Sequence, residues 1–205
     1  MSLVVFTGPV RSGKSHMAEE LARTHGGPVT VVVAGRPSDE EMERRIALHK
    51  ARRPAEWDVV ELDAEAGARL VAQPTEMARV LPTPPAGGVL LVDCLSTLLG
   101  SMLVAAAGNV DPRAATVPDD SESAWFDAVD RVCDQLAAQA GDIIVVTNEV
   151  GWGVVPESPL GRVFADGLGR ANRRLVALAT SAWLVVAGRA VDLATLPDSV
   201  GWPGA

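Results

Sequence analysis

A chain of 205 residues is long enough to bury a sizeable core, and its length fits a single domain. The formal net charge of −8 argues against a general affinity for nucleic acid or an anionic membrane, since both require a basic face. No apolar run is long enough to span a bilayer, and the N-terminus leads directly into a strand pattern. We therefore expect one cytoplasmic domain, residues 1–205, that neither binds nucleic acid nor inserts into a membrane.

Apolar runs of strand length alternate with helical patterns along the chain. The predicted strands, in chain order, are 3–7, 29–34, 59–62, 89–93, 143–147 and 183–187, of which 59–62 reads as a short edge strand. The predicted helices are 17–23, 39–52, 64–72, 95–107, 124–140 and 160–180. Continuous Val, Leu and Ile runs separated by helices predict an α/β fold with a mostly parallel sheet covered on both faces.

Two stretches carry no strand or helix pattern of their own. Residues 108–122 are rich in Gly, Asn, Asp, Pro and Ser, and we interpret them as a mobile loop within the single domain. After residue 187 the sequence predicts only a short tail.

The two cysteines, Cys94 and Cys133, are too few and too far apart for a disulfide framework. Because Cys94 lies beside a predicted buried strand, we expect its thiol to be buried and inert.

Residues 8–15 read Gly-Pro-Val-Arg-Ser-Gly-Lys-Ser, a complete Walker A phosphate loop between a strand pattern and a helix pattern. Backbone N–H groups of such a loop cradle phosphates, Lys14 reaches the terminal phosphates in a catalytic role, and the Ser15 hydroxyl ligates Mg²⁺. The following helix N-terminus adds partial positive charge for the anion. The nucleotide-binding residues predicted here are Gly8, Pro9, Val10, Arg11, Ser12, Gly13, Lys14 and Ser15.

Asp93 closes an apolar strand, as the acid of a Walker B motif does, and would hold Mg²⁺ together with Ser15. A strand-end carboxylate taken alone is more often solvated or a helix cap, but the phosphate loop in the same chain favours the metal role. Ligands of parallel α/β sheets bind at the carboxyl ends of the strands. Gly8, Asp93 and Asn148 are all expected at that edge.

A basic segment at residues 45–54 reads Arg-Ile-Ala-Leu-His-Lys-Ala-Arg-Arg-Pro and places His49 where an apolar helix face meets a cationic one. Neighbouring cations disfavour the imidazolium, so the ring would be neutral and nucleophilic, and the same cations could bind phosphates. The alternative is a partly buried structural histidine beside a solvated basic helix end. The physics of the segment alone favours that structural alternative.

A polar pair, Asn148 and Glu149, follows the strand predicted at 143–147 and is itself followed by two glycines. This pattern suggests a loop shaped around a ligand, although an ordinary strand-to-helix connection fits equally well. Farther along, polar residues interrupt the helix predicted at 160–180, and a salt-bridged solvent face is the default expectation for them. These polar residues are Arg162, Asp166 and Asn172.

Taken together, these segments resemble one family over nearly the whole chain: the bifunctional adenosylcobinamide kinases / adenosylcobinamide-phosphate guanylyltransferases. The phosphate loop is generic to many nucleotide enzymes. The patterns His-Lys-x-x-Arg-Pro-x-x-Trp at 49–57 and Thr-Asn-Glu-Val-Gly at 147–151 are far more specific. The resemblance implies a P-loop, RecA-like version of the predicted α/β fold.

The resemblance also implies two reactions. The chain would phosphorylate the aminopropanol hydroxyl of adenosylcobinamide with GTP or ATP, and then transfer GMP from GTP to that phosphate, giving adenosylcobinamide-GDP and pyrophosphate. His49 would carry the guanylyl group, a role that suits a neutral imidazole. The family further implies a homo-oligomer such as a trimer. The implied nucleotide-binding positions outside the phosphate loop are Gly35, Arg36, Lys50, Arg53, Glu61 and Asp93.

The sequence departs from the family pattern at Asp93, where the family often has Glu, and in the length of residues 108–122. Two other functions stay open. One is a monofunctional P-loop kinase of another small hydroxylated substrate, with a structural His49; absence of guanylyl transfer would favour it. The other is a non-enzymatic nucleotide switch with 108–122 as its responsive element; nucleotide-dependent partner binding without an acceptor substrate would favour it.

Overall fold

The computed structural model describes residues 1–34, 44, 47, 52–63, 65–73, 80–108 and 118–199. The strands in this part of the chain are β1 Ser2–Thr7, β2 Val29–Ala34, β3 Asp58–Leu62, β4 Val89–Asp93, β5 Asp142–Val146, β6 Ser181–Val186 and β7 Arg189–Asp192. They form one sheet in the order β3-β2-β4-β5-β1-β6-β7. Every neighbouring pair is parallel except β6 and β7. The predicted mostly parallel sheet, with 59–62 inside an edge strand, is confirmed.

The helices in the described residues are α1 Lys14–His25, α2 Ala66–Ala72, α3 Leu95–Ala107, α4 Asp119–Ala138 and α5 Pro159–Leu178, with a 3-10 turn at Leu193–Thr195. Most of the helix predicted at 39–52 lies outside the described residues. None of the helices described is long and apolar enough to cross a membrane.

The start of α4 corrects one prediction. The helix begins at Asp119 and not at residue 124, so the last four residues assigned to the loop 108–122 are helical. Acidic side chains at Asp119, Asp120 and Glu122 occupy its first turn, where the positive end of the helix dipole stabilises them. The acidic residues that suggested a solvated loop therefore mark the beginning of a helix. Residues 109–117 lie outside the described part, and the mobility of this loop stays a prediction.

Alternate side chains of the sheet enter two separate apolar cores, because successive residues of a strand point to opposite faces. In β4, Leu90 and Val92 belong to the core formed with α2, α3, α4 and α5. Val89 and Leu91 belong to the core on the other face, which α1 covers. Burial on both faces explains why the strands read as continuous apolar runs instead of alternating ones.

Strand β7 was not predicted, because the sequence analysis ended with a tail after residue 187. It pairs with β6 through a two-residue turn formed by Ala187 and Gly188, with φ angles of 51° and 74°. Two positive φ angles in such a turn match the twist of the two strands. The Gly188 N–H donates a 2.9 Å hydrogen bond to the Ser12 carbonyl, so this hairpin contacts the phosphate loop.

The order of the central strands positions the functional residues. β5 lies between β1 and β4 and pairs with both in parallel register. The loops that follow these three strands therefore meet at one edge of the sheet, which is the ligand-binding edge of parallel α/β folds. One strand, β5, thus separates the strand that leads into the phosphate loop from the strand that carries the acid.

Candidate active site

The phosphate loop is held on both sides by neighbouring strands. The Gly8 carbonyl accepts a 2.9 Å hydrogen bond from the Glu149 N–H, beyond the end of β5, and the β6–β7 hairpin contacts Ser12 from the other side. Gly8 has a φ of 145°, and a Cβ there would lie 2.2 Å from the Val185 carbonyl oxygen, so only glycine fits. Because α1 begins at Lys14, the loop opens directly onto a helix N-terminus, as the motif requires.

Lys14 is almost fully buried at the base of this loop. Its Nζ donates a 2.9 Å hydrogen bond to the Pro9 carbonyl oxygen, inside the same loop. Burial lowers the pKa of Lys14 from its usual value, and nearby acidic groups, which include Asp93 and Glu149, oppose that shift. The ammonium group is therefore placed among the groups that would surround the terminal phosphates of a nucleotide.

Ser15 and Asp93 are brought together as predicted. Ser15 Oγ donates a 3.0 Å hydrogen bond to Asp93 Oδ1, and an Arg53 guanidinium nitrogen donates a 3.1 Å bond to Asp93 Oδ2. A hydroxyl and a carboxylate are hard oxygen ligands of the kind Mg²⁺ accepts from proteins, with substrate phosphates and water completing its shell. The described residues hold no cluster of three or more His, Cys, Asp or Glu side chains that could bind a metal ion.

Arg53 also reaches a buried acid that the sequence analysis missed. Its Nε lies 3.6 Å from Glu19 Oε1, and both side chains are almost fully buried, with 5% and 1% exposed. Arg52 lies 3.4 Å from the same Glu19 oxygen but is 45% exposed. The end of the basic segment is thus fixed against α1 and β4. Glu19 lies three residues before the buried Ala22, on the same face of α1, and that spacing was the available signal.

A second polar cluster joins the end of β5 to α5. Thr147 Oγ1 donates a 2.8 Å hydrogen bond to Asn172 Oδ1, and Asn172 Nδ2 donates to Glu149 Oε1 at 2.7 Å. Thr7 Oγ1 donates to the same Glu149 oxygen at 2.9 Å. The expectation of a solvent-facing Asn172 was wrong, since it is 6% exposed. Residues three and four apart share a helix face, so the buried leucines at 168 and 175 indicated this.

Other predicted positions lie either farther from the phosphate loop or outside the described residues. Glu61 is exposed near the carboxyl end of β3, two strands and therefore roughly 10 Å across the sheet from β4. Cys94, predicted to be buried, is only partly so; it lies directly after β4 and its Sγ is 3.0 Å from Ser96 Oγ. The residues outside the described part of the chain are Gly35, Arg36, His49 and Lys50.

A family model described as cobinamide kinase / cobinamide phosphate guanyltransferase matches residues 4–193, which contain every segment of this site. The chain belongs to this family. It is 34% identical over 191 residues to the bifunctional adenosylcobalamin biosynthesis protein CobU of Salmonella typhimurium, covering 93% of this chain and 99% of that protein. The corresponding protein CobP of Pseudomonas aeruginosa is 34% identical over 187 residues, covering 91% and 94%.

Among solved structures, the chain is similar to the P4 protein from bacteriophage phi6 in complex with ADP. The identity is 14%, the TM-score is 0.41, and the alignment covers 93% of this chain and 54% of that one. Family membership confirms the resemblance stated from the sequence. The protein is a bifunctional cobinamide kinase and cobinamide phosphate guanylyltransferase of adenosylcobalamin biosynthesis, and not a monofunctional kinase or a nucleotide switch.

Proposed function

We propose that this enzyme carries out both steps with the residues assembled around the phosphate loop, and that its second step passes through a guanylylated His49. The observation that carries the proposal is the ion pair between Arg53 and Asp93. It attaches the basic segment to the carboxylate at the phosphate loop. The end of the segment that contains His49 is therefore fixed beside the phosphate loop, which supports a role for that segment in the reaction.

In the first step, the aminopropanol hydroxyl of adenosylcobinamide attacks the terminal phosphate of ATP or GTP. Lys14 and the loop N–H groups bind the triphosphate, and the buried Ser12 hydroxyl, which has no hydrogen-bond partner among the described residues, is available to it. Ser15 and Asp93 would hold Mg²⁺, which neutralises charge on the phosphates when it is bound. The protein residues supply position and electrostatic complementarity, which are the main requirements of phosphoryl transfer.

In the second step, an imidazole nitrogen of His49 attacks the α-phosphorus of GTP. A nitrogen–phosphorus bond forms, the bond to the bridging oxygen breaks, and pyrophosphate leaves. An oxygen of adenosylcobinamide phosphate then attacks the same phosphorus and releases His49. Four residues of chain span at most roughly 14 Å, so the fixed position of Arg53 supports a role for His49 at the same nucleotide.

The guanosine end of GTP would lie across the carboxyl edge of the sheet toward β3. Glu61 is near the end of β3, and Gly35 and Arg36 follow β2 directly in the sequence. These strands lie beside β4, on the side away from β1. This arrangement supports nucleotide binding by Gly35, Arg36, Lys50, Arg53 and Glu61, with the phosphates toward β1.

Labelling with GTP that carries radioactive phosphorus at the α-position tests the intermediate. We expect the wild-type protein to retain label after denaturation in base and to lose it in acid, as a phosphorus–nitrogen bond does. His49→Ala should retain none. His25→Ala, at the far end of α1, is the matched control and should label normally. Labelling of His49→Ala at the wild-type level would overturn the intermediate.

We further propose that the enzyme works in the cytoplasm as a homo-oligomer such as a trimer, as the family resemblance suggests. Sedimentation equilibrium of the purified protein tests the assembly. A mass three times that of the 21.4 kDa chain is expected, and a mass equal to one chain would contradict it.

A further inference from the structure

The Glu149 carboxylate lies beside the phosphate loop. One of its oxygens accepts two hydrogen bonds, and the other has no hydrogen-bond partner among the described residues. Oε1 accepts hydrogen bonds from Thr7 Oγ1 and Asn172 Nδ2, at 2.9 and 2.7 Å. The backbone N–H of the same residue donates to the Gly8 carbonyl at 2.9 Å. Three contacts thus fix this residue against the last residue of β1, the first residue of the loop and α5, while Oε2 keeps its acceptor capacity.

The network behind Glu149 has a defined direction. Asn172 Oδ1 accepts from Thr147 Oγ1, so its Nδ2 group must face the carboxylate, where it also donates to the Asn148 carbonyl at 2.9 Å. Asn172 is buried and its amide is satisfied at both ends. It therefore acts as a positioning residue, which holds Oε1 and leaves Oε2 without a hydrogen-bond donor among the described residues.

Glu149 and Asp93 have different surroundings, and this difference assigns them different tasks. Asp93 is bound by the Ser15 hydroxyl and by the Arg53 guanidinium, and its position beside Ser15 suits a metal ligand. The donors bound to Glu149 are the neutral hydroxyl of Thr7 and the neutral amide of Asn172, and the ammonium group of Lys14 is close enough to interact with its charge. A carboxylate whose first oxygen is held in place, and whose second oxygen has no donor among the described residues, has the geometry to accept a proton from a substrate hydroxyl.

We propose that Glu149 Oε2 is the proton acceptor of the kinase step, an inference that rests on the proposed function and extends it. As the substrate hydroxyl oxygen bonds to the γ-phosphorus, the bond from that phosphorus to the bridging oxygen breaks and a nucleoside diphosphate leaves. The hydroxyl proton passes to Glu149. Guanylyl transfer needs no such acceptor, because its nucleophiles are an imidazole and a phosphate that is already anionic.

Replacement of Glu149 by glutamine separates this role from a structural one. The amide oxygen of Glu149→Gln can still accept from Thr7 and Asn172, and the backbone bond to Gly8 remains. Only the proton-accepting oxygen is lost. Glu157→Gln, an exposed carboxylate in the same loop, makes the same chemical change without touching the site and serves as the matched control.

We expect Glu149→Gln to lower kcat for phosphorylation of adenosylcobinamide on the order of 10²- to 10⁴-fold. The fall of kcat at acidic pH in the wild-type protein should disappear in the residual activity. Transfer of GMP to preformed adenosylcobinamide phosphate and the melting temperature should stay at wild-type values, and Glu157→Gln should be normal in every assay.

Two results would overturn the inference while leaving the proposed function intact. One is a kinase rate in Glu149→Gln close to that of the wild type. The other is an equal loss of kinase activity, guanylyl transfer and melting temperature, which indicates a structural clamp on the loop. Failure of the wild-type protein to guanylylate preformed adenosylcobinamide phosphate would instead contradict the proposed function.

Discussion

Ser15 Oγ donates a hydrogen bond to Asp93 Oδ1 at 3.0 Å, although 78 positions separate the two residues. Ser15 lies in the first turn of α1 and Asp93 at the carboxyl end of β4, with β5 between β4 and the strand that leads into the loop. The contact therefore depends on the order of the strands and not on local sequence. It brings a hydroxyl and a carboxylate together at the place where the fold directs a triphosphate.

The first prediction concerns this pair. We expect Ser15→Ala to lower the kinase rate on the order of 10²-fold, because one group that positions charge near the phosphates is lost. Saturation should also require more Mg²⁺. Ser15→Thr keeps the hydroxyl and should retain most of the activity. Initial rates measured over a series of Mg²⁺ concentrations check this, and an Ala variant with an unchanged Mg²⁺ requirement would exclude Ser15 as a ligand.

The second prediction compares two neighbouring arginines. Arg53 is buried between Glu19 and Asp93, so Arg53→Ala removes the buried cation that contacts both carboxylates. We expect a loss of about 3–5 kcal/mol in the free energy of unfolding. Arg52 is 45% exposed, and Arg52→Ala should cost less than about 1 kcal/mol. Urea denaturation of both variants measures the difference, and equal losses would show that burial of this ion pair contributes little.

The sequence predicted the parts of this molecule that local patterns determine. Continuous apolar runs identified six of the strands described, and fixed spacing identified the phosphate loop and Asp93. Each of these features is determined by a few adjacent residues, so it can be recognised without knowing which other parts of the chain lie nearby. Arg53 binds Asp93, and its contact with a nucleotide stays a prediction.

Residues whose role depends on distant partners were not found in this way. Glu19 and Asn172 are polar residues within helices, and a solvated position is the usual expectation for them. Each is buried because another part of the chain supplies its partner: Arg53 for Glu19, and Thr147 for Asn172. Such pairs become visible only when the strand order is known, since their members lie 34 and 25 positions apart in the sequence.

The third prediction tests the backbone of the phosphate loop. A Cβ at Gly8 would lie 2.2 Å from the Val185 carbonyl oxygen, and the φ of 145° disfavours any other residue. Gly8→Ala should displace the loop, abolish both activities and cost on the order of 2 kcal/mol or more in stability. Gly151→Ala is the control, because a Cβ there meets nothing within 4 Å. Wild-type nucleotide affinity in Gly8→Ala would show that the close approach of β6 to Gly8 is not required for nucleotide binding.

The fourth prediction concerns the reactivity of the two thiols. Burial raises the pKa of Cys133 to about 12, with the charge of Asp130 as a smaller cause, whereas Cys94 is partly exposed. Because the thiolate is the reactive form, Cys133 should not react with a disulfide reagent at pH 8 in the folded protein. We expect one fast thiol per native chain, none in Cys94→Ser, and both in denaturant.

The same pKa shift predicts how stability depends on pH. A thiol whose pKa is higher in the folded state than its ordinary value of 9.0 binds its proton more tightly when folded. Its contribution to stability is therefore present below about pH 9 and is lost as the pH rises toward 12. Cys133→Ala removes the titrating group, so its unfolding free energy should fall less steeply than that of the wild type between these pH values. Parallel slopes for the two proteins would show that Cys133 ionises as easily in the folded state as in the unfolded one.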